Sequence, residues 1–164
     1  MSEVRFKEIL ALVNSAQVDC ILIGGLAAIA HGTARATYDI DFVYSRSPEN
    51  IARLAHCLEA YSPYLRGVPP GLPFKFDVRT IQAGLNFTLT TTLGDVDFMG
   101  EVPGGGTFEK LLPHAERIEI LQVSVLCVSL EKLIDLKRAA GRPKDLEAVA
   151  ELIALLEERN STRG

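Results

Sequence analysis

The sequence predicts a mixed α/β domain, a sheet of about five strands flanked by helices with a helical pair at the C-terminal end. Three observations carry this expectation. Short apolar or alternating runs recur between stretches of helical periodicity, and glycine and proline punctuate the boundaries. At 164 residues and 48% hydrophobic composition, the chain is the size of a single domain with one core. The expected division is a sheet core over residues 1–128 and C-terminal helices over 129–164, within one domain.

Residues Glu3 to Ala16 place Phe6, Ile9, Leu10 and Val13 at helical spacing, which predicts an amphipathic first helix. The run Cys20 to Ile23 is short and apolar, as a strand buried on both faces should be. Gly24-Gly25 then turns the chain into a small helix over Leu26 to His31. Tyr38 to Tyr44 alternates, sending Ile40 and Val43 to the core and projecting Asp39 and Asp41 from one face. Ser47 caps a helix with Pro48 in its first turn, whose buried stripe is Ile51, Leu54, Ala55 and Leu58.

Four of the eight prolines fall between Ser62 and Pro73, so this segment reads as a surface loop and a candidate binding loop. Strands are expected at Phe74 to Arg79, Leu85 to Thr91 and Leu93 to Met99, the last carrying Asp95 and Asp97. After Gly104 to Gly106, a short helix is expected at Phe108 to Leu112, then Ile118 to Leu121 and Val123 to Val128 as a hairpin or two edge segments. Ser129 caps a helix running to about Ala140. Gly141 and Pro143 break it before a last helix, Lys144 to Glu158, with Leu146, Val149, Ile153 and Leu156 facing inward.

Composition removes several classes of function. Seventeen basic against twenty-one acidic residues lacks the excess of a histone-like duplex binder. Three widely spaced cysteines with no C-x-x-C pair suggest neither a disulfide framework nor a zinc knuckle, and a reducing cytosol fits them best. The opening MSEVRFKEIL is charged where a signal peptide is apolar, and no apolar run reaches the roughly 20 residues of a membrane span. Cytoplasmic location without a membrane partner is the expectation.

The chemistry concentrates in ILIGGLAAIAHGTARATYDIDFV, Ile21 to Val43. Glycines at a strand-to-helix turn let backbone N–H groups approach a phosphate, and the helix presents its positive end to the same anion. Asp39 and Asp41 on one strand face can hold a hard divalent cation through oxygen. A lone Gly-Gly is usually only a turn, and two acids on a strand usually meet only water. Together, on consecutive strands, they point to one site.

These residues resemble the nucleotidyltransferase superfamily of DNA polymerase β type. Its signature is a hydrophobic residue, Gly-Gly or Gly-Ser, a spacer, and Asp-x-Asp in a hydrophobic strand. Ile23-Gly24-Gly25, a 13-residue spacer and Asp39-Ile40-Asp41-Phe42 match it. The stretches GGLAAIAHGTARATYDIDFV, LGDVDFMGEVPGG and SLEKLIDLKRAAGRPKDLEAVAEL are similar to small stand-alone bacterial nucleotidyltransferases, including relatives of abortive-infection toxins.

The resemblance implies transfer of a nucleoside monophosphate from a nucleoside triphosphate such as ATP to a hydroxyl, with pyrophosphate leaving. Two magnesium ions would be held by Asp39, Asp41 and a third carboxylate. Asp97 fits the family pattern in Gly94-Asp95-Val96-Asp97, and Asp95, on the same face by period two, is its competitor. Arg35 and Thr37, just upstream of the acid pair, would face the cleft, where Arg35 could hold phosphate; a solvated arginine at a strand start is the alternative.

Lys137 shares a helical stripe with Leu130, Leu133 and Ile134, so its ammonium is directed toward the domain unless it snorkels to the rim. With Arg138, Arg142 and Lys144 it forms a basic cluster suited to a triphosphate, and the resemblance gives Lys137 and Arg142 nucleotide-binding roles. Asp145 is expected to cap or pair, and His31 to serve the helix end.

The acceptor could be a tRNA end, a protein hydroxyl or a small molecule. Aromatics at 7% and no Trp offer little to stack single-stranded bases. A toxin restrained by an antitoxin protein is a further expectation of the resemblance. The competing reading is a catalytically inactive nucleotide-binding or partner-binding module of the same fold.

Overall fold

A computed structural model of the chain describes residues 5–163. Helix α1 spans Phe6–Ser15 and buries Ile9, Leu10 and Val13, the stripe its periodicity requires. The part of its expected start at Glu3 and Val4 lies outside the described residues. Strand β1 (Cys20–Ile23) is wholly buried, and α2 (Gly24–His31) begins at the glycine pair itself, two residues earlier than the sequence suggests.

Strand β2 (Asp39–Tyr44) follows, then α3 (Pro48–Leu58), whose cap Ser47 accepts a hydrogen bond from the Asn50 N–H. The proline-rich segment contains a two-residue strand, β3 (Tyr64–Leu65), paired with β4 (Asn86–Thr91). The strand expected over Phe74 to Arg79 is absent. There, Asp77 accepts a hydrogen bond from the Thr80 N–H and starts a short helix, α4 (Val78–Ala83). A favourable N-cap outweighed the β-propensity of Phe74, Phe76 and Val78.

Strand β5 (Gly94–Met99) is followed by a small hairpin, β6 (Glu101–Val102) and β7 (Gly106–Thr107), then α5 (Phe108–Leu111). Strands β8 (Ala115–Ile120) and β9 (Val123–Val128) form a hairpin. Helix α6 (Leu130–Ala140), capped by Ser129 and closed by Gly141, leads into α7 (Pro143–Arg163).

The main sheet has seven strands in the order β3-β4-β5-β2-β1-β9-β8, two more than the sequence suggests. Edge strand β3 takes the place of the absent strand over Phe74 to Arg79, and the two arms of the last hairpin, both within the sheet, make the difference. Strands β2 and β5 run parallel at its centre, with Asp41 opposite Asp97 and Phe42 opposite Phe98. Alternation therefore puts acids on one face and aromatics on the other. Phe42 and Phe98 stack at 5.5 Å between centroids, with Tyr44 and Phe76 at the edge and face of Phe98. Sliding β2 by one residue would bury its carboxylates in that cluster, so the aromatic face fixes the register of the acids. Helix α2 packs on β1 and β2 and touches α6, which pairs with α7. No helix among the described residues is long and apolar enough to cross a membrane.

Candidate active site

Asp39 and Asp41 project from the start of β2, and Asp97 from the neighbouring parallel strand β5. Each offers a carboxylate oxygen, and these oxygens lie within 4.8 Å of one another. Asp95 sits opposite Asp39 in the ladder but stands outside this group of three. Among the candidates from β5, the geometry brings Asp97 and not Asp95 to the acid pair. Three hard oxygen donors at this spacing fit a divalent cation such as magnesium in chemistry and number.

The electrostatics of the trio are those of crowded anions. Burial, the hydrogen bond with Asp97 and the charges of Asp39 and Asp97 push the Asp41 carboxyl up to about 8, against an ordinary value of 3.8. Asp39 is raised as well, first by burial and then by Asp97, while Arg66 and Lys144 act in the other direction. Such a site favours a cation or a proton.

The glycine turn abuts these acids. Gly24 has φ +72°, and a Cβ there would overlap the Asp41 carboxylate. At Gly25 an added Cβ would lie 2.7 Å from Thr37 Oγ1. The two glycines thus let Asp41 and Thr37 close on the start of α2, which has no side-chain cap. That start, with unshared backbone N–H groups beside the acids, can bind an anion carried by a cation held on the acids.

A cavity of about 440 Å³ opens here, and Gly24, Gly25, Arg35, Thr37, Asp39, Asp41, Asp97, Lys137, Arg142 and Lys144 all line it. Asn86, Met99 and the β6–β7 hairpin at Glu101, Val102 and Pro103 also line it. Thr37 donates from Oγ1 to the carbonyl of Asp39, two residues on, at 3.1 Å. Arg35 is bound to α7, donating to Glu151 at 2.8 Å with Glu147 at 3.9 Å.

Lys137 keeps 17% of its side chain exposed, so it does lean inward. Its ammonium is 3.6 Å from Asp145, which is 1% exposed. Arg142 donates to both Asp145 oxygens, from Nε at 2.6 Å and from a terminal nitrogen at 3.2 Å. Burial acts to raise the Asp145 carboxyl, but these hydrogen bonds and the two positive charges outweigh it and hold it below the ordinary range. Asp145 therefore fixes both basic residues at the cleft. Leu146, expected to be buried, is 54% exposed, and Leu152 takes the buried place on α7.

His31 is buried and bridges the Val128 carbonyl and Arg159, a structural arrangement at the end of α2. One residue that the sequence reading passed over is Arg66. It lies just after β3, and its guanidinium reaches the acids from the sheet edge, donating to Asp97 Oδ1 at 2.6 Å and to the Leu89 carbonyl at 2.8 Å. The available signal was that Arg66 is the lone charge between Ser62 and Pro73.

No family model matches the chain, and no curated protein matches it in sequence. Solved structures do match in shape. The lincosamide antibiotic adenylyltransferase LnuA, with lincomycin bound, superposes with a TM-score of 0.63 at 16% identity, covering 94% of this chain and 99% of LnuA. ANT(2″)-Ia in complex with adenylyl-2″-tobramycin gives 0.54 at 18% identity, covering 97% of each chain. A Thermotoga maritima protein provisionally named a nucleotidyltransferase gives 0.57 at 14% identity, covering 91% of this chain and 90% of that one. These likenesses span nearly the whole chain, and its fold is the nucleotidyltransferase fold.

Proposed function

We propose that the protein transfers a nucleoside monophosphate from a nucleoside triphosphate, with ATP the first candidate, to a hydroxyl of a small molecule. The observation that carries this reading is the convergence of Asp39, Asp41 and Asp97 beside the uncapped start of α2. In the reaction the acceptor oxygen forms a bond to the α-phosphorus. The bond from that phosphorus to the bridging oxygen breaks, and pyrophosphate leaves with the electron pair.

Asp39, Asp41 and Asp97 would hold magnesium, which when bound neutralises phosphate charge and makes the acceptor hydroxyl more acidic. Asp97 Oδ2 would take the hydroxyl proton. The first N–H groups of α2 would receive the triphosphate, supported by Lys137 and Arg142 in the positions that Asp145 sets. Phosphoryl chemistry of this kind asks the protein for placement and charge rather than a covalent intermediate.

A small-molecule acceptor is favoured by the cleft's size and by its mixed apolar and polar lining, which includes Asn86, Met99, Glu101, Val102 and Pro103. Two matched structures hold an antibiotic or an adenylylated antibiotic. The test incubates the protein with magnesium and each of four α-labelled triphosphates, together with separated small-molecule, RNA and protein fractions of a cell extract. The expected result is label in the small-molecule fraction, dependent on magnesium and lost in Asp41→Asn. Label in RNA or protein would replace the acceptor class, and binding of nucleotide without transfer to any fraction would favour the inactive module.

A further inference from the structure

Arg66 is placed in a way that the proposed reaction does not call for. Its guanidinium is 2.6 Å from Asp97, 3.3 Å from Asp95 and 3.9 Å from Asp39, so one cation spans three carboxylates on two strands. Its Nε is buried and faces Asp95 without hydrogen-bond alignment, so that contact is one of charge alone. The arm is anchored at its base, where the Arg66 N–H donates to the Thr88 carbonyl at 3.0 Å, and at its tip, where the terminal nitrogen that meets Asp97 also donates to the Leu89 carbonyl. Its side chain is 30% exposed, so solvent screens it only in part.

We propose that Arg66 is the resident counter-cation of the aspartate trio and suppresses the binding of a free divalent ion, so that the metal enters together with the triphosphate. The inference rests on the reading of Asp39, Asp41 and Asp97 as the metal site. A positive charge within 4 Å of two of the three donors repels a second cation seeking the same oxygens. The same charge attracts a triphosphate, so the metal–nucleotide complex meets no such barrier. Arg66 thus discriminates between metal alone and metal on nucleotide.

Calorimetric binding of manganese alone, and of manganese with a non-hydrolysable ATP analogue, tests this on the wild type, Arg66→Gln, Arg66→Lys and Asp41→Asn. Arg66→Gln should bind free manganese at least tenfold tighter and the manganese–nucleotide complex no tighter than wild type. Arg66→Lys, which keeps the charge, should stay within about threefold of wild type for free manganese. A merely structural role would weaken both ligands, because a loosened β3–β4 edge cannot sharpen a metal site.

Free-manganese affinity equal to or weaker than wild type in Arg66→Gln would overturn the proposal. Should that variant not fold, the Arg66 Nε–H resonance of wild-type protein decides instead, assigned by its loss in Arg66→Lys. It should stay in place over a magnesium range that, with the non-hydrolysable ATP analogue present, moves it to its end point, and an equal movement with magnesium alone over that range would overturn the proposal. Unchanged manganese binding in Asp41→Asn would instead overturn the assignment of the metal site, separating the two failures.

Discussion

Asp41 shows how a single side chain can be ill suited to the folded chain and well suited to a task. Its carboxyl is pushed up to about 8 by burial and by its two acidic neighbours, against 3.8 ordinarily. Below the unfolded value both states hold the proton, and the residue has no effect on stability. Between about 4 and 8 the unfolded chain gives up the proton while the folded one keeps it, so rising pH costs stability through that window. Metal-free Asp41→Asn should therefore melt higher than wild type at pH 8, with the gap closing toward pH 4. Thermal denaturation in chelator measures this, and a variant that melts lower at pH 8 would show that the crowding is not felt. At this scale the sequence was informative. Period two placed Asp39 and Asp41 on one face, and the glycines were visible as a tight turn. What it could not show is that Gly24 and Gly25 are small because Asp41 and Thr37 occupy the space, a contact between residues 12 to 17 positions apart.

Among the elements, the junction of α6 and α7 matters most for the cleft. Asp145 in the first turn of α7 gathers Lys137 from α6 and Arg142 from the turn between the helices, so one buried carboxylate ties the three segments together. Its carboxyl is held below the ordinary range, so its contribution is complete above the unfolded value and disappears as pH falls through the folded one. Asp145→Asn should cost about 1–3 kcal/mol at pH 7, the range for leaving a buried polar partner unsatisfied, and less at pH 3, below the unfolded value. Urea denaturation at the two pH values checks this, and an equal loss at both would assign the effect to shape rather than charge. Helices with clean periodicity and caps were legible in the sequence, as α3 and α6 show. The stretch Phe74 to Arg79 was not, because strand propensity and the Asp77 cap compete there and the cap decides. On α7 the pattern suggested Leu146 as a buried residue. The helix turns Asp145 inward instead, because that carboxylate has two cations to meet.

Across the whole molecule, the site depends on strands far apart in sequence meeting in one register. The parallel pairing of β2 with β5 sets Asp41 opposite Asp97, and the stacked Phe42 and Phe98 behind them hold that register. Strand order is a property of the assembled sheet, so local patterns foretold a mixed sheet but neither its seven strands nor the arrival of Arg66 from its edge. The central claim is that this assembly presents a metal-bound triphosphate to an acceptor. The most direct measurement is calorimetric titration of a non-hydrolysable ATP analogue into wild type and Asp41→Asn, each with magnesium and with chelator. Binding by wild type that needs magnesium and is lost in Asp41→Asn is the predicted result. Equal binding in all four titrations, or none in any, would contradict the account.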